Sequence, residues 1–280
     1  MKKKVFVIAL LLLSHFAFTQ LPISVAKTGT GNPIIFLPGF TAPGSVWDET
    51  VKHLDTSYTN YIVSYAGFNG LQPIATPWYD AVKKQLVEYI KKENLSHVTL
   101  IGHSMGGNLA IDLVTELPAM VTGVILVESL PCMRDMMMPG VPAASLQYTS
   151  PYNNQILAMG DEDFKKMAMT MAQNMTNTQS KVEVLTTWSV NAHRKTYVYG
   201  YTDLLKLDLR DKLPNINIHT LILGASFPNK EMIKANYEKQ YANLKGKEIL
   251  IAESSKHFIM FDQPEWLYTQ VNKYLHQYAQ

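Results

Sequence analysis

The stretch HVTLIGHSMGGNLAIDLVTEL at residues 97–117 constrains the fold of this 280-residue chain more than any other segment. Residues 98–101 form a short apolar run rich in β-branched side chains, and residues 109–114 repeat apolar side chains at helical spacing. A glycine-rich turn joins the two parts. A strand that turns directly into a helix is typical of a parallel sheet covered by helices.

Ser104 lies on this turn, in the frame GHSMG. Gly102 and Gly106 allow a close backbone approach that side chains would block, so the serine hydroxyl is predicted to be exposed at a sharp corner. The corner directs the amide of Met105 and the positive end of the helix toward the space where an oxyanion would form. The alternative is a tightly packed turn in which Ser104 only caps the helix. The agreement of strand, turn and helix favours a nucleophile.

Further apolar strands alternate with helical patterns along the chain. The predicted strands are 34–37, 60–65, 98–101, 121–127, 219–223 and 248–251, and the predicted helices include 78–92, 230–244 and a closing helix after Pro264. This alternation predicts an α/β fold with a mostly parallel central sheet and helices on both faces. Its functional edge is expected at the carboxyl ends of the strands. The segment ISVAKTGTGNP, residues 23–33, is predicted to form an edge hairpin.

The pattern changes between Pro131 and Tyr201, where loops and a helix at 161–174 replace the strand–helix alternation. This helix contains Met167, Met169 and Met171, which either line an adaptable apolar pocket or fill an ordinary core. We interpret the segment as a helical lid over the strand ends. The predicted organisation is a signal peptide at 1–19, an α/β core at 20–130 and 202–280, and a helical lid at 131–201.

The first twenty residues have the order of parts of a secretory signal peptide. Lys2, Lys3 and Lys4 precede an apolar run at 5–13, and a short polar segment follows. An uncleaved membrane anchor is the alternative, because no Ala-x-Ala site is present. The leader predicts a secreted or periplasmic protein whose mature form begins near Gln20, with membrane contact only transiently through the signal peptide.

Charge and cysteine content give no support for a nucleic-acid partner or for stabilisation by a disulfide. The formal net charge of +2 becomes −1 if the three leader lysines are removed, so nothing favours a nucleic-acid partner. Cys132 is the only cysteine, which rules out an internal disulfide. With 47% hydrophobic residues, the chain can derive its stability from a sizeable core.

Three segments in chain order resemble the α/β-hydrolase superfamily, specifically its lid-bearing esterase-like branch. They are LPGF at 37–40, GHSMGG at 102–107 and KHFIMFDQPEW at 256–266. The resemblance covers roughly residues 30–278 and is weakest in the lid. It implies an oxyanion hole made by the backbone N–H groups of Phe40 and Met105, although this chain has Pro38-Gly39 where many relatives have His-Gly. It also implies an apolar acyl substrate of small size, with no cofactor and no metal.

His257 is the best candidate among eight histidines for the base that a serine nucleophile needs. It follows the last predicted strand and therefore lies at the same sheet edge as Ser104. His103, beside the serine, is expected to pack or to form a hydrogen bond near the strand end.

The acid of a Ser-His-acid triad is the least obvious member. The usual position follows the strand LILGA at 221–225, where the sequence ASFPNK contains no carboxylate and Asn229 stands at the expected place. Glu128, in contrast, directly ends the apolar strand 121–127, and a charge in such a place needs a partner. We predict Glu128 as the acid, with Asp203, Asp208 and Asn229 as alternatives.

These residues predict cleavage of an ester-like acyl bond through an acyl-enzyme. Cleavage of a thioester, amide, lactone or carbon–carbon bond, and acyl transfer, are alternative outcomes of the same chemistry. A ligand-sensing receptor with slow single-turnover hydrolysis and an inactive structural relative also remain open, because fold alone does not decide among them.

Overall fold

A computed structural model describes residues 20–279 and contains, within that range, one seven-stranded sheet. The strands are β1 (Ile23–Gly29), β2 (Pro33–Leu37), β3 (Thr59–Tyr65), β4 (Val98–His103), β5 (Val121–Val127), β6 (Thr220–Ala225) and β7 (Lys247–Ala252). Their spatial order is β1-β3-β2-β4-β5-β6-β7, and every pairing except β1–β3 is parallel. The predicted α/β fold class is confirmed. The predicted signal peptide at 1–19 lies outside the described residues.

The predicted hairpin at 23–33 is wrong. β1 pairs antiparallel with β3, from Ile23 opposite Tyr65 to Gly29 opposite Thr59, whereas β2 lies on the other side of β3. The reason is burial: residues 34–37 are all buried, so β2 needs a neighbour on each side, and it pairs with β3 and β4. β1 is largely exposed and suits the edge position.

Helices cover both faces of the sheet. They are α1 (Asp48–Lys52), α2 (Trp78–Lys92), α3 (Met105–Glu116), α4 (Met133–Met137), α5 (Pro151–Ala158), α6 (Asp161–Met175), α7 (Gln179–Val190), α8 (Arg194–Lys206), α9 (Lys230–Gln240), α10 (Ile259–Asp262) and α11 (Pro264–Tyr278). Short 3-10 helices span Gly44–Trp47, Ala143–Ser145 and Arg210–Asn215. Within residues 20–279, no helix is long and apolar enough to cross a membrane.

The core consists of two hydrophobic clusters, one on each face of the sheet. In β2, Ile35 and Leu37 belong to one cluster and Ile34 and Phe36 to the other, as the alternation of side chains along a strand requires. The first cluster includes the buried faces of α2 and α3, and the second includes that of α11. Packing on both faces of the sheet therefore fixes the positions of the strand ends.

The chain between β5 and β6 forms a helical insertion, which we define as α4–α8. The helix predicted at 161–174 is confirmed as α6. The last helix, α8, continues past the predicted boundary at residue 201 to Lys206. The role of the insertion as a lid stays a prediction.

One carboxylate fastens the insertion to the loop that carries His257. Asp262 accepts hydrogen bonds from the turn at 176–178 between α6 and α7, including the Thr176 hydroxyl at 2.6 Å and the Asn177 amide at 2.9 Å. It also accepts one from the Lys256 amide at 2.9 Å. We call this set of contacts the Asp262 clamp.

Candidate active site

Ser104 lies between β4 and α3 in a backbone conformation that few residues other than glycine adopt, with φ 53° and ψ −121°. Its neighbours must be glycine: a Cβ on Gly102 would lie 2.3 Å from the Gly106 carbonyl oxygen, and one on Gly106 would lie 2.1 Å from the Leu37 carbonyl oxygen. The Ser104 side chain forms no capping hydrogen bond to α3. The tight turn therefore has the strained geometry that is typical of functional sites, without the capping contact of the alternative interpretation.

The segment LPGF lies directly against Ser104. A Cβ on Gly39 would lie 3.3 Å from the Ser104 Cβ and 2.7 Å from the His103 Nδ1, so only glycine allows this approach. Phe40 and Met105 line the same cavity as Ser104. Neither of their amides has a hydrogen-bond partner within residues 20–279. Both N–H groups are thus available to a ligand.

His257 lies on the loop between β7 and α10, and its half-buried side chain lines the cavity that Ser104 also lines. Its Nδ1 lies 3.1 Å from Glu128 Oε2, so the ring donates a hydrogen bond to the carboxylate. In the neutral imidazole this contact leaves Nε2 as the unprotonated nitrogen, which can accept a proton.

Glu128 follows β5 and uses both carboxylate oxygens. While Oε2 faces His257, Oε1 accepts hydrogen bonds from the Ala225 amide at 2.6 Å and the Tyr237 hydroxyl at 2.9 Å. Burial, and secondarily the charge of Glu128, raises the pKa of Tyr237 well above its usual value, so the phenol stays protonated and donates. The carboxylate is therefore fixed in one orientation.

The alternative acids are engaged elsewhere. Asp203 accepts hydrogen bonds from the amides of Trp78 at 2.7 Å and Tyr79 at 3.3 Å, and so caps α2. Asp208 pairs with the Arg210 guanidinium at 2.5 Å. Asn229 is exposed and its side chain caps α9.

His103 is fully buried beneath the site. Its Nε2 donates a hydrogen bond to the His257 carbonyl oxygen at 3.0 Å, and the two rings lie 4.7 Å apart. The prediction of a hydrogen bond near the strand end is confirmed. Burial, followed by the neighbouring His257, lowers the pKa of His103 well below its usual value, so the ring stays neutral.

The cavity has a volume of about 400 Å³ and is mostly apolar. The insertion contributes much of its wall, including Met133, Met136, Met137, Met171 and Met175. Of the three methionines singled out in the sequence, Met171 lines the cavity, Met167 packs on the core and Met169 is exposed. No lysine or arginine is among the described lining residues. Within residues 20–279 there is no cluster of three side chains suited to hold a metal ion.

Comparison with known proteins decides the family. The sequence profile of the alpha/beta hydrolase family matches residues 34–270. The chain belongs to this family. A curated relative from Legionella pneumophila (strain Corby), named pimeloyl-[acyl-carrier protein] methyl ester esterase, is 28% identical over 228 residues, which are 80% of this chain and 87% of that protein.

Solved structures share the fold of this hydrolase at lower identity. An esterase from Exiguobacterium antarcticum has a TM-score of 0.74 and 23% identity, covering 91% of this chain and 95% of its own. A bromoperoxidase from Bacillus anthracis has a TM-score of 0.76 and 18% identity with the same coverage. An enol-lactonase from Burkholderia xenovorans has a TM-score of 0.75 and 12% identity, covering 91% and 96%.

Sequence reasoning missed the groups that hold Glu128 in this hydrolase. Tyr237 lies inside the helix predicted at 230–244, and Tyr241 follows one turn later. Their spacing places both aromatic rings on one helix face, a signal that could have shown which face packs on the sheet. Ala225 contributes its backbone amide, and a pattern of residue types cannot predict that contact.

Proposed function

We propose that this chain is an exported serine esterase in which Ser104 is the nucleophile, His257 the base and Glu128 the acid. The observation that carries the proposal is the 3.1 Å contact between His257 Nδ1 and Glu128 Oε2 in a cavity that Ser104 also lines. The order Ser104, Glu128, His257 along the chain is the order usual for the triad in this family.

In the first half of the reaction, Ser104 Oγ attacks the ester carbonyl while His257 Nε2 takes its proton. The amides of Phe40 and Met105 stabilise the tetrahedral oxyanion, and the Glu128 carboxylate offsets the charge on the imidazolium. The carbon–oxygen bond to the alcohol then breaks, and the leaving oxygen takes the proton from His257. The product of this half-reaction is an acyl-Ser104 ester.

In the second half, a water molecule attacks the acyl carbonyl while His257 takes its proton. The new tetrahedral intermediate uses the same two amides, and its collapse returns the proton to Ser104. A carboxylic acid leaves, and the free enzyme is restored. An alcohol in place of water would give acyl transfer.

The substrate is proposed to be an uncharged ester of apolar character. The cavity wall is mostly apolar, and Glu128 is the only Asp or Glu among the described lining residues. A second carboxylate inside this cavity would be buried without a cation to pair with, which is costly. The name of the Legionella relative supports methyl esters of acyl chains as the first substrates to test.

The nucleophile is tested by covalent labelling with a fluorophosphonate, with the adduct mapped by mass spectrometry. Wild-type protein should be labelled at Ser104, and Ser104→Ala should lose both labelling and ester hydrolysis while its unfolding free energy changes by no more than about 1 kcal/mol. Ser189→Ala is the matched control, because Ser189 lines the same cavity. Labelling that persists in Ser104→Ala would reject the assignment.

The kinetics separate an enzyme from a ligand sensor. Steady hydrolysis of short esters over many turnovers supports an esterase, whereas a burst of one equivalent followed by very slow release would indicate a sensor.

Export is proposed from the leader at residues 1–19. Protein recovered from the extracytoplasmic fraction should begin near Gln20 when its amino terminus is sequenced. Intact residues 1–19 on that protein would contradict cleavage.

A further inference from the structure

Within residues 20–279, two tyrosine hydroxyls of the cavity wall have only methionine sulfur atoms as hydrogen-bond partners. Tyr197 and Tyr201 are four residues apart on α8, so they project from the same helix face. The Tyr201 hydroxyl donates to the Met137 sulfur at 3.4 Å, and the Tyr197 hydroxyl donates to the Met171 sulfur at 3.6 Å. All four side chains line the cavity.

A thioether is a poor hydrogen-bond acceptor, so a buried phenol gains little from it. Burial raises the pKa of Tyr201 to about 12 and also raises that of Tyr197, so both phenols remain neutral donors near neutral pH. A carbonyl or ether oxygen on a bound ligand would be a better acceptor than either sulfur. Each methionine then serves as a substitute partner when no such oxygen is present.

The tyrosine pair lies next to Phe40. The rings of Tyr197 and Tyr201 lie 5.9 Å and 5.8 Å from the Phe40 ring. Between them on α8, a Cβ on Gly200 would come within 3.1 Å of the Phe40 ring, so glycine lets the helix pack closely there. A Cβ on Gly39, the residue before Phe40, would lie 3.3 Å from the Ser104 Cβ, so the segment that carries Phe40 passes directly beside Ser104.

We propose that Tyr197 and Tyr201 form a subsite that binds an uncharged oxygen acceptor on the substrate, a carbonyl, ether or second ester oxygen, at a position away from the scissile bond. This inference rests on the proposed function. The acceptor is uncharged because no lysine or arginine is among the described cavity residues. Met137 is 50% exposed, so the Tyr201 donor lies near the cavity mouth.

The test uses p-nitrophenyl esters in matched pairs. One member is an unbranched alkanoate, and the other has an ether oxygen in place of one CH₂, moved stepwise along the chain. The wild-type enzyme should favour at least one ether isomer, with a kcat/KM about 3–10 times that of the alkanoate, the size expected for one net hydrogen bond. In Tyr197→Phe or Tyr201→Phe this ratio should fall toward one, since the ring is kept and the donor is lost.

Tyr199→Phe is the matched control on the same helix. The Tyr199 ring contacts Tyr148 and is not among the cavity residues. Its ether preference should equal that of the wild type. Absence of any preference in the wild type, or a preference that survives in both Tyr197→Phe and Tyr201→Phe, overturns the subsite.

Failure of the proposed function would look different, because neither ester would be hydrolysed. In that case the subsite is tested by binding alone: calorimetry with Ser104→Ala and the matched methyl esters should show tighter binding of an ether isomer. Equal binding of ether and alkyl methyl esters would overturn the subsite without reference to catalysis.

Discussion

The Glu128 carboxylate and the His257 imidazole meet at 3.1 Å although 129 residues separate them in the chain. Glu128 follows β5, yet its Oε1 accepts a hydrogen bond from the amide of Ala225, the last residue of the neighbouring strand β6. The carboxylate thus reaches the strand end after which the acid of related hydrolases is usually placed. Glu128, which follows the adjacent strand β5, therefore places its carboxylate there.

Replacing that charge should impair turnover more than binding. Glu128→Gln keeps the shape of the side chain but removes the charge that offsets the imidazolium, so kcat should fall by roughly two to four orders of magnitude with a smaller change in KM. Steady-state kinetics of a short ester checks this. Near-normal kcat would leave Glu128 as a structural residue at the strand end.

Two further variants control for the alternative acids. Asp208→Asn breaks the exposed pair with Arg210 and should leave kcat within about threefold of the wild type, because surface pairs contribute little. Asn229→Asp should not rescue Glu128→Gln, because the Asn229 side chain is exposed and caps α9. Recovery of activity in the double variant would mean that this loop reaches His257 in solution.

The phenol of Tyr237 is expected to position the acid. Tyr237→Phe keeps the buried ring but removes one hydrogen bond to Glu128 Oε1, so kcat should fall by about 3–10 times with KM little changed. Tyr241→Phe is the matched control one turn later, since its hydroxyl donates to the Ser129 carbonyl instead. Equal effects of the two substitutions would mean that loss of either buried hydroxyl lowers kcat, and would reject a specific role for Tyr237.

The buried ring of His103 makes stability depend on pH. Burial lowers the pKa of His103 in the folded state. Below about pH 6.5, His103 is therefore protonated in the unfolded chain but stays neutral in the folded protein. The unfolding free energy should therefore decrease as pH falls below about 6.5, by up to about 1.4 kcal/mol per pH unit from this residue. Urea unfolding of the wild type and His103→Gln between pH 7.5 and 5.5 isolates the effect. Identical slopes would contradict it.

The methionines of α4 should influence which acyl chains are preferred. Met136 and Met137 line the cavity and are about half exposed, whereas Met138 is not among the cavity residues. Substitution of Met136 or Met137 by alanine should change the ranking of esters by chain length, because a flexible apolar side chain is lost from the wall. Met138→Ala is the control and should keep the ranking. Lower stability with an unchanged ranking in all three would mean that these residues serve packing.

Patterns within single elements could be predicted from the sequence, and contacts between distant elements could not. The helix at 78–92 and the strand at 121–127 have their predicted bounds, since apolar periodicity records which side chains are buried. The same pattern does not record which strands pair, so the sequence predicts a local hairpin at 23–33 where β1 in fact pairs with the distant strand β3.

In the candidate site, too, residues that stand out in a local pattern could be predicted, and backbone contacts between distant elements could not. Ser104 and Glu128 interrupt strong local patterns and could be found from them. The amide of Ala225 and the carbonyl of His257 carry no residue signature, because every residue other than proline has both groups. Much of the insertion lacks a clear period, and α7 buries only a few residues.

The Asp262 clamp bears on how substrate enters. Since it joins the turn at 176–178 to the loop of His257, a rigid outward rotation of the whole insertion would displace His257 with every opening. α4, whose Met136 and Met137 are about half exposed around the cavity, forms no hydrogen bond or ion pair with that loop among the described residues. We expect entry beside α4, with faster amide hydrogen exchange there than at 176–178. Substrate exchange by this route would leave the contact between His257 and Glu128 intact.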